Sequence, residues 1–595
     1  MSRTRAIRAG LAVALAAGVL AACADIPDSG PTTRVQGEIE SEEDLVQIEP
    51  AGPAPGASPT ETVAGFIDAM QASPPTTEFA KQFLTKEAAA AWNPFRRVVV
   101  YVDFETTPTP NRQRVDLDVQ RLATLNGRGA YSAVTTSEAS EVHHYLLRQE
   151  DGEWRITNPI NAYYVADFTF SNYYKPYSLY FFAPSGNALV PYPIYLPTGD
   201  QLATTLVQGV LDGPPAQQGQ QSLTFVPPDT SVLSVSITPE GIAEIRLSGP
   251  LLGLDSERRK LVSAQLVTTV SQIPGVEGVR IFADGAPWEG PGEPAVQDVS
   301  ELPYNLAVEP ARNQLFALDA GRLVEVYDSP DAGEGVRVDP QPESMWGRAQ
   351  SIRSFDVDLQ LDRLLAVGSG GRTLLTGKLY DSRGQTPTTL DYVGTDLSQP
   401  VATPTREWLV VDREPGGSQL LVVRSGGAVR PLPSGPLSRE RVRSLALSPD
   451  GTRFAAIAQR IGAGGPGPPR LVLGQIRFAD DGTSAVGVVG VHDLVTTGDL
   501  LSDVRSVAWV DGTTLGVLGS ASGAAVEPYT VRIDGSELIN EWVLPTELGV
   551  PETLVPSLSE GGVYVRNASG RLWFDNDGEW IQVSPRPLSA PTFPG

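Results

Sequence analysis

The hydrophobic pattern divides the chain into a leading apolar run, a polar stretch and three folded regions. An uncharged, apolar run covers residues 9–20. A polar, proline-rich stretch then extends to residue 59. Beyond it, apolar residues recur with helical or strand spacing as far as residue 585, which predicts a multidomain protein.

The first folded region, residues 60–172, begins with helical spacing and continues with strands. Val63, Phe66 and Ile67 lie on one face of a predicted helix over 60–70, and a second helix is predicted over 78–92. Alternating strands follow, ending at an Asp-Gly hairpin at 151–152. This order resembles the cone-shaped nuclear-transport-factor-2-like α+β fold, which implies a cone that holds a ligand or an enzyme site in some proteins.

The second region, residues 177–288, alternates strands and helices. Strands are predicted over 177–183 and 190–196, and Thr198 is placed to cap the next helix. A long helix is predicted from Asp255 to Ile273. The segments Tyr180-Phe181-Phe182, 206–214 and 281–285 resemble a GerM-type domain. That resemblance implies a small α/β module of envelope proteins, with no catalytic residue to carry over.

The third region, residues 300–585, repeats strand phrases about 45 to 60 residues apart, a spacing typical of propeller blades. Its clearest phrase covers 445–457 and contains Ser448-Pro449-Asp450-Gly451, which favours a tight hairpin. The phrase resembles the hairpins of TolB-like propellers. We predict an all-β propeller of six blades, with seven as the alternative, and a tail over 586–595.

The leader has the form of a secretory signal peptide. Three arginines precede the apolar run, which is too short to span a bilayer. It ends in Leu20-Ala21-Ala22-Cys23, which resembles a bacterial lipobox. The resemblance implies cleavage between Ala22 and Cys23, an S-diacylglyceryl group on Cys23 and an acyl chain on its amine. Two or more chains hold a protein firmly to a membrane.

Cys23 is the only cysteine, so it can form no internal disulfide, and lipidation explains its presence. The alternatives are an ordinary signal peptide with an accidental cysteine and a buried N-terminal helix. Residues 1–22 are therefore predicted as signal peptide, and 23–59 as the lipidated cysteine with a disordered acidic tether. Residues 45–48 offer an alternative, an edge strand added to a later domain.

The charge of the chain limits its partners. The net charge is −25, and removal of the leader arginines makes it more negative. Nucleic-acid binding is disfavoured because it depends on neutralising phosphates. The negative net charge also disfavours electrostatic adhesion to anionic lipid, so the acyl chains must hold the protein to the membrane. We expect the body to lie on the extracytoplasmic face of the cell membrane.

A search for catalytic motifs predicts no enzyme and no cofactor. The chain contains no Ser-x-x-Lys motif, and the candidate nucleophile elbow at 519–523 has Ala521 at its centre. Walker A and dinucleotide fingerprints are also missing. His143 and His144 are adjacent on a predicted strand, so they point to opposite faces and cannot chelate one ion. His492 stands alone in a predicted propeller loop.

Two further patterns leave alternatives open. The acidic turn at 575–579 hints at a calcium loop, but position 573 is Trp573, so a hairpin corner is favoured there and at 480–482 and 534–535. The propeller tryptophans could fill blade cores or line a sugar-binding mouth, and core filling is favoured. They are Trp346, Trp408, Trp509, Trp542, Trp573 and Trp580.

Lipobox, acidic tether, cone-like domain, GerM-type domain and propeller occur together in an order that resembles the actinobacterial LpqB lipoprotein family, over essentially the whole chain. The resemblance implies an accessory of the MtrA–MtrB two-component system that acts on the extracellular domain of the sensor kinase MtrB. Only Cys23 can be assigned a chemical role on this basis. The function expected is a non-enzymatic, membrane-anchored modulator of an MtrB-like sensor histidine kinase. The alternative is a cell-wall glycan-binding lipoprotein, and an envelope hydrolase is the least favoured.

Overall fold

The structure is a computed structural model that describes most of the chain from residue 49 to the end. The described residues are 49–72, 75–109, 113–215, 222–289, 294–304, 314–327, 337–340, 344–347, 352–380, 384–496, 501–521, 523–540, 542–557, 562–576 and 578–595. Cys23, the predicted signal peptide and the alternative strand at 45–48 lie outside them. Within the described ranges, every helix is too short or too polar to cross a bilayer.

The first domain packs short helices on a mixed sheet, in which β1 and β6 are parallel and the other pairs are antiparallel. Its helices are α1 Pro59–Asp68, α2 Glu78–Lys81, α3 Lys86–Ala91 and α4 Asp167–Tyr173. Its strands are β1 Arg97–Pro108, β2 Arg114–Asn126, β3 Tyr131–Ala133, β4 Ser140–Glu150, β5 Glu153–Ile156 and β6 Tyr163–Ala166. The sheet order is β5-β4-β2-β1-β6, with β3 beside β2. Helix α1, predicted over 60–70, begins at Pro59 after a capping box between Ser58 and Glu61.

The single helix predicted over 78–92 is wrong, because Thr85 divides it into α2 and α3. Thr85 has extended backbone angles, and its Oγ1 accepts a hydrogen bond from the Ala88 amide at 3.2 Å. Its own amide donates to the carbonyl of Ile156 in β5 at 2.9 Å. A threonine that caps a new helix competes with helix continuation, which apolar spacing alone does not reveal.

The second domain combines a two-stranded hairpin, two helices and a mixed sheet. Its elements are β7 Tyr174–Phe182, β8 Leu189–Pro197, α5 Leu202–Leu211, β9 Val232–Ile237, β10 Ile242–Leu247, α6 Ser256–Val270, β11 Gly278–Ala283 and β12 Ala286–Pro287. Strands β10 and β11 are parallel, and α6 connects them. Asp255 caps α6 by accepting from the Arg258 amide at 2.9 Å. The predicted Thr198 cap is wrong, because α5 begins after Gln201 without a side-chain cap.

The described residues of the third region form six sheets, each with a path of four antiparallel strands. Five sheets are built from consecutive strands, which are β16 Ile352–Val357, β17 Arg363–Gly368, β18 Thr373–Lys378 and β19 Thr388–Val393; β20 Val401–Ala402, β21 Trp408–Glu414, β22 Gly417–Val423 and β23 Val429–Leu432; β24 Glu440–Leu447, β25 Arg453–Gly462, β26 Gly465–Pro466, β27 Arg470–Phe478 and β28 Ala485–Asp493; β29 Leu501–Trp509, β30 Thr514–Ala521, β31 Val526–Arg532 and β32 Leu538–Ile539; and β33 Pro551–Pro556, β34 Val563–Asn567, β35 Leu572–Asn576 and β36 Glu579–Gln582. Apolar clusters lie between neighbouring sheets, as where Leu365 and Val367 meet Val410 and Leu421.

The remaining sheet joins the two ends of the propeller. It contains β13 Leu315–Asp319, β14 Arg322–Tyr327, β15 Arg337–Pro340 and the last strand of the chain, β37 Leu588–Thr592. Strand β37 pairs with β13, so Phe316 lies opposite Thr592. The tail predicted over 586–595 is therefore wrong. These residues close the propeller ring by pairing with a strand far away in sequence, and they cover the edge of β13.

Candidate functional site at the domain junctions

The β7–β8 hairpin of the second domain contacts both neighbouring domains. On one side, the Tyr195 amide donates to the carbonyl of Gly129 at 2.8 Å. Arg128 of the first domain also donates to the carbonyl of Gly213, which follows α5, at 2.6 Å. On the other side, the Tyr195 hydroxyl donates to Ser536 Oγ of the propeller at 2.8 Å. One short hairpin therefore connects all three domains.

A buried ion pair fixes the hairpin to the propeller. The Arg453 guanidinium donates to Asp450 at 3.0 Å, to the Gly512 carbonyl at 2.8 Å and to the Pro191 carbonyl of β8 at 2.9 Å. Burial alone raises the pKa of Asp450, but the Arg453 charge and the hydrogen bonds from Thr452 outweigh it and hold the pKa below its ordinary value. The Ser448-Pro449-Asp450-Gly451 turn is therefore a contact between domains as well as a hairpin.

A cleft of about 480 Å³ opens beside this contact, between β7, the end of α6 and the propeller turns. That volume lies within the usual range of about 300–1,000 Å³ for small-molecule sites. Tyr177, Tyr180 and Tyr304 contribute its aromatic walls. Burial, followed by the charge of Asp511, raises the pKa of Tyr180.

Two polar groups at the cleft lack partners among the described residues. They are Arg532 Nε and Thr268 Oγ1, and both atoms are buried. Asp511 also lines the cleft, where its Oδ1 accepts from the amides of Thr513 and Thr514. A buried polar atom without a hydrogen-bond partner costs free energy, so the fold stabilises neither Arg532 Nε nor Thr268 Oγ1 by a hydrogen bond.

A second cleft, of about 440 Å³, lies where all three domains meet. Its walls include Tyr131 of the first domain, Tyr192 of the hairpin and Trp509 of the propeller. Asp534 also lines it, with Oδ2 buried and without a partner among the described atoms. Its Oδ1 accepts from the Ser536 amide at 3.0 Å, in the turn that receives Tyr195.

A third cavity, of about 320 Å³, is lined by the first strands of the propeller sheets and by the final residues of the chain. Asp356 lies there, fully buried, and accepts hydrogen bonds from Val357 N at 3.0 Å, Ala402 N at 2.6 Å and Thr592 Oγ1 at 3.1 Å. Burial raises the pKa of Asp356 to about 7. This carboxyl group thus joins three sheets, one of them through the closing strand β37.

The two adjacent histidines of the first domain lie on opposite faces of β4, as predicted. His143 is half-buried and its Nε2 lies 3.4 Å from Glu141, whereas His144 lies 2.8 Å from Asp116. Burial lowers the pKa of His143. Glu141 also pairs with Arg97 at 2.7 Å. Within the described ranges, no three His, Cys, Asp or Glu side chains are grouped to hold a metal ion.

The other residues singled out in the sequence have structural contacts. His492 lies on strand β28, not in the predicted loop, and its Nδ1 is 2.7 Å from the Gly490 carbonyl. The acidic turns are hairpin corners, as favoured. Asp481 accepts from two turn amides, and Asp575 accepts from the Gly578 amide at 3.1 Å.

The tryptophans mostly fill the propeller interior. Trp346, Trp408, Trp509 and Trp542 are buried, and Trp573 and Trp580 pack against the cluster that contains Trp542. The favoured interpretation, core filling, is confirmed for the buried four. The sequence analysis did not identify the cleft tyrosines as site residues. Tyr177 and Tyr180 occur in an apolar, aromatic strand, which is the pattern expected of the hydrophobic core.

The fold and the junction site define a class: a three-domain protein in which an α+β domain, a GerM-type domain and a β-propeller are joined in that order. Three family models match these domains. They are described as "Lipoprotein LpqB, N-terminal domain" over residues 52–171, "Sporulation and spore germination" over 178–289 and "Lipoprotein LpqB beta-propeller domain" over 321–594.

Relatives match over nearly the full length. The chain is 28% identical to the lipoprotein LpqB of Thermobifida fusca, covering 89% of this chain and 90% of that protein. It is 25% identical to that of Cutibacterium acnes, covering 94% and 95%. Among solved structures, TolB from Acinetobacter baumannii aligns with a TM-score of 0.33 at 13% identity, covering 62% of this chain and 99% of TolB. The chain belongs to the LpqB lipoprotein family.

Proposed function

We propose that this protein is an extracytoplasmic lipoprotein, anchored to the cell membrane at Cys23, that modulates an MtrB-like sensor histidine kinase without catalysis. The observation that carries the proposal is the near full-length similarity to LpqB lipoproteins. An anchored body needs only weak affinity for a neighbour in the same membrane, because the tether raises the effective concentration. It changes kinase output only if it binds one kinase state better than the other.

The anchor is tested by Cys23→Ala. Without the thiol, the diacylglyceryl group cannot be attached, and a body of net negative charge has no electrostatic hold on an anionic membrane. We expect the variant to leave the membrane fraction. Ser29→Ala serves as the control and should remain in that fraction. Retention of the Cys23→Ala variant after a carbonate wash would contradict the proposal.

The propeller offers a surface for the kinase on the side away from the hairpin. Four turns of the propeller lie at the hairpin or the clefts beside it, at 448–452, 479–484, 510–514 and 533–536. Within the four-stranded path of its own sheet, each of these turns connects either the first strand to the second or the third strand to the fourth. Turns of these two kinds lie at the same end of an antiparallel sheet. The opposite end therefore faces away from the second domain.

An arginine cluster lies at that opposite end. Asp396 accepts from Arg353 at 2.9 Å and pairs with Arg413 at 3.0 Å, and Arg441 lies 3.8 Å from it. Burial lowers the pKa of Arg413, and the like charges of Arg353 and Arg441 lower it further. Val393, at the end of the neighbouring strand β19, is 70% exposed.

Three guanidinium groups surround one carboxylate on this surface, in a protein of net negative charge. Of the nearby acids, Glu440 is paired with Arg470 at 2.8 Å and Asp503 with Arg505 at 2.9 Å, whereas Asp412 and Glu414 on either side of Arg413 offset part of the arginine charge. Arginines beside an exposed apolar residue are typical of protein interfaces. We propose that this surface contacts an acidic region of the kinase ectodomain.

Capture of the kinase ectodomain by the purified protein tests the proposal. The double change Arg353→Glu with Arg441→Glu should reduce capture at least about tenfold, and added salt should weaken wild-type capture. Arg430→Glu, an exposed arginine at the other end of its sheet, is the matched control. Absence of capture by the wild type would reject the kinase role. Equal capture by wild type and double variant would reject only the surface.

A further inference from the structure

The cleft between the β7–β8 hairpin and the propeller has polar groups that the fold leaves unused. Arg532 Nε and Thr268 Oγ1 are buried there without partners among the described residues. Tyr177, Tyr180 and Tyr304 line the same space. A concave site with aromatic walls and a few convergent polar groups is the usual form of a small-ligand site.

A peptide cannot enter by adding a strand, because the outer edge of β7 is already paired. Gln272 of the α6 C-terminal turn donates to the Ser178 carbonyl at 2.7 Å and accepts from the Ser178 amide at 2.8 Å. Thr269 accepts from the Tyr180 amide at 3.2 Å, and Gln265 donates to the Tyr180 carbonyl at 3.2 Å. Peptide recognition by strand addition requires a free edge, so recognition in this cleft depends on side chains.

The charges that line the cleft balance. Arg532 and Asp511 carry opposite charges, and Asp450 is neutralised by Arg453 at 3.0 Å. A charged ligand therefore gains little net attraction. A polyhydroxylated ligand can accept hydrogen bonds from a guanidinium group and donate to a carboxylate, while its C–H face packs on tyrosine rings.

We infer that this cleft binds a short, uncharged oligosaccharide. Tyr180 and Tyr304 supply the stacking surfaces, Arg532 donates to ring hydroxyls, and Asp511 accepts from them. The site lies at the hairpin end of the propeller and does not include the arginine cluster around Asp396. The inference is therefore independent of the kinase contact.

The test is titration of the full-length protein in detergent with three soluble probes: tri-N-acetylchitotriose, cellotriose and maltotriose. Binding is followed by calorimetry and by saturation-transfer NMR. At least one probe should bind, and Arg532→Ala should weaken its affinity about tenfold or more, as expected for loss of a charged hydrogen bond. Tyr304→Ala should weaken it as well, through loss of a stacking surface.

Two further variants separate loss of binding from loss of folding. Ser271→Phe places a large side chain into the cleft from the end of α6, so it should block binding while circular dichroism stays native. Arg430→Ala, on the exposed surface of β23, should bind like the wild type. Failure of all three probes to bind, or unchanged affinity in Arg532→Ala and Ser271→Phe, would overturn the inference.

Discussion

At the scale of single residues, two buried carboxylates of the propeller show how partners decide ionisation. Asp450 contacts Arg453 at 3.0 Å, and its pKa lies below the ordinary value. Asp356 accepts three hydrogen bonds, none of them from a cation among the described residues, and burial raises its pKa from 3.8 to about 7. The sequence shows both as aspartates in strand or turn segments and cannot distinguish them, because the difference arises from distant contacts.

The raised pKa of Asp356 predicts a pH-dependent stability. Between its ordinary pKa of 3.8 and about 7, the folded state keeps a proton that the unfolded state has lost. The stabilisation is therefore complete below the ordinary pKa and is lost as the pH rises through the folded pKa. Asp356→Asn cannot ionise and should remove this component.

Urea unfolding of the wild type and Asp356→Asn at about pH 5 and about pH 8 measures the effect. The wild type should lose more free energy of unfolding over this interval than the variant. Asp450→Asn provides the contrast, because it leaves the buried Arg453 without its carboxylate and should be destabilised at both pH values. Parallel pH profiles for wild type and Asp356→Asn would refute the prediction.

At the scale of elements, α6 shows a role that apolar spacing does not reveal. Its spacing predicted a long helix from Asp255 to Ile273, and the structure confirms a helix over Ser256–Val270. Its buried residues include Gln265 and Thr269, both fully buried. Their side chains form hydrogen bonds with the Tyr180 amide and carbonyl of strand β7. The helix therefore satisfies backbone groups that a neighbouring strand would otherwise pair.

Gln265→Leu should therefore destabilise the protein although it makes the helix more apolar. The change removes the bonds to the Tyr180 carbonyl and from the Phe225 amide, at 3.2 Å and 3.0 Å. Each unsatisfied backbone group costs about 1–3 kcal/mol. Ser263→Ala on the same helix is the control, because the buried Ser263 Oγ has no partner among the described residues. Thermal unfolding should show a large decrease for Gln265→Leu and little change for Ser263→Ala; equal effects would contradict this account.

At the scale of the whole molecule, the last strand has more influence than its position in the sequence suggests. Strand β37, the last strand of the propeller in sequence, pairs with β13, the first. Its residue Thr592 donates a hydrogen bond to Asp356 of the next sheet. Closure of this kind covers the edge of β13, which would otherwise lack a neighbouring strand on that side.

Removal of residues 588–595 should therefore open the ring, lower the unfolding temperature and broaden the transition. The control is removal of Gly595 alone, which loses one hydrogen bond, from its amide to the Val357 carbonyl at 3.1 Å. Calorimetry distinguishes the two. An unchanged unfolding transition in the longer deletion would show that β37 does not close the propeller.

The sequence by itself determined the domain order, the helix α6, the strands of the hairpin and the hairpin corners, because these depend on local periodicity and turn chemistry. Only the tertiary structure decided the break at Thr85, the closing role of 588–592, the pKa of Asp356 and the union of Tyr180 with Arg532 in one cleft. Each of these depends on contacts between residues far apart in the chain. Local pattern fixes which segments form helices and strands, whereas burial, ion pairing and ligand sites depend on which segments meet.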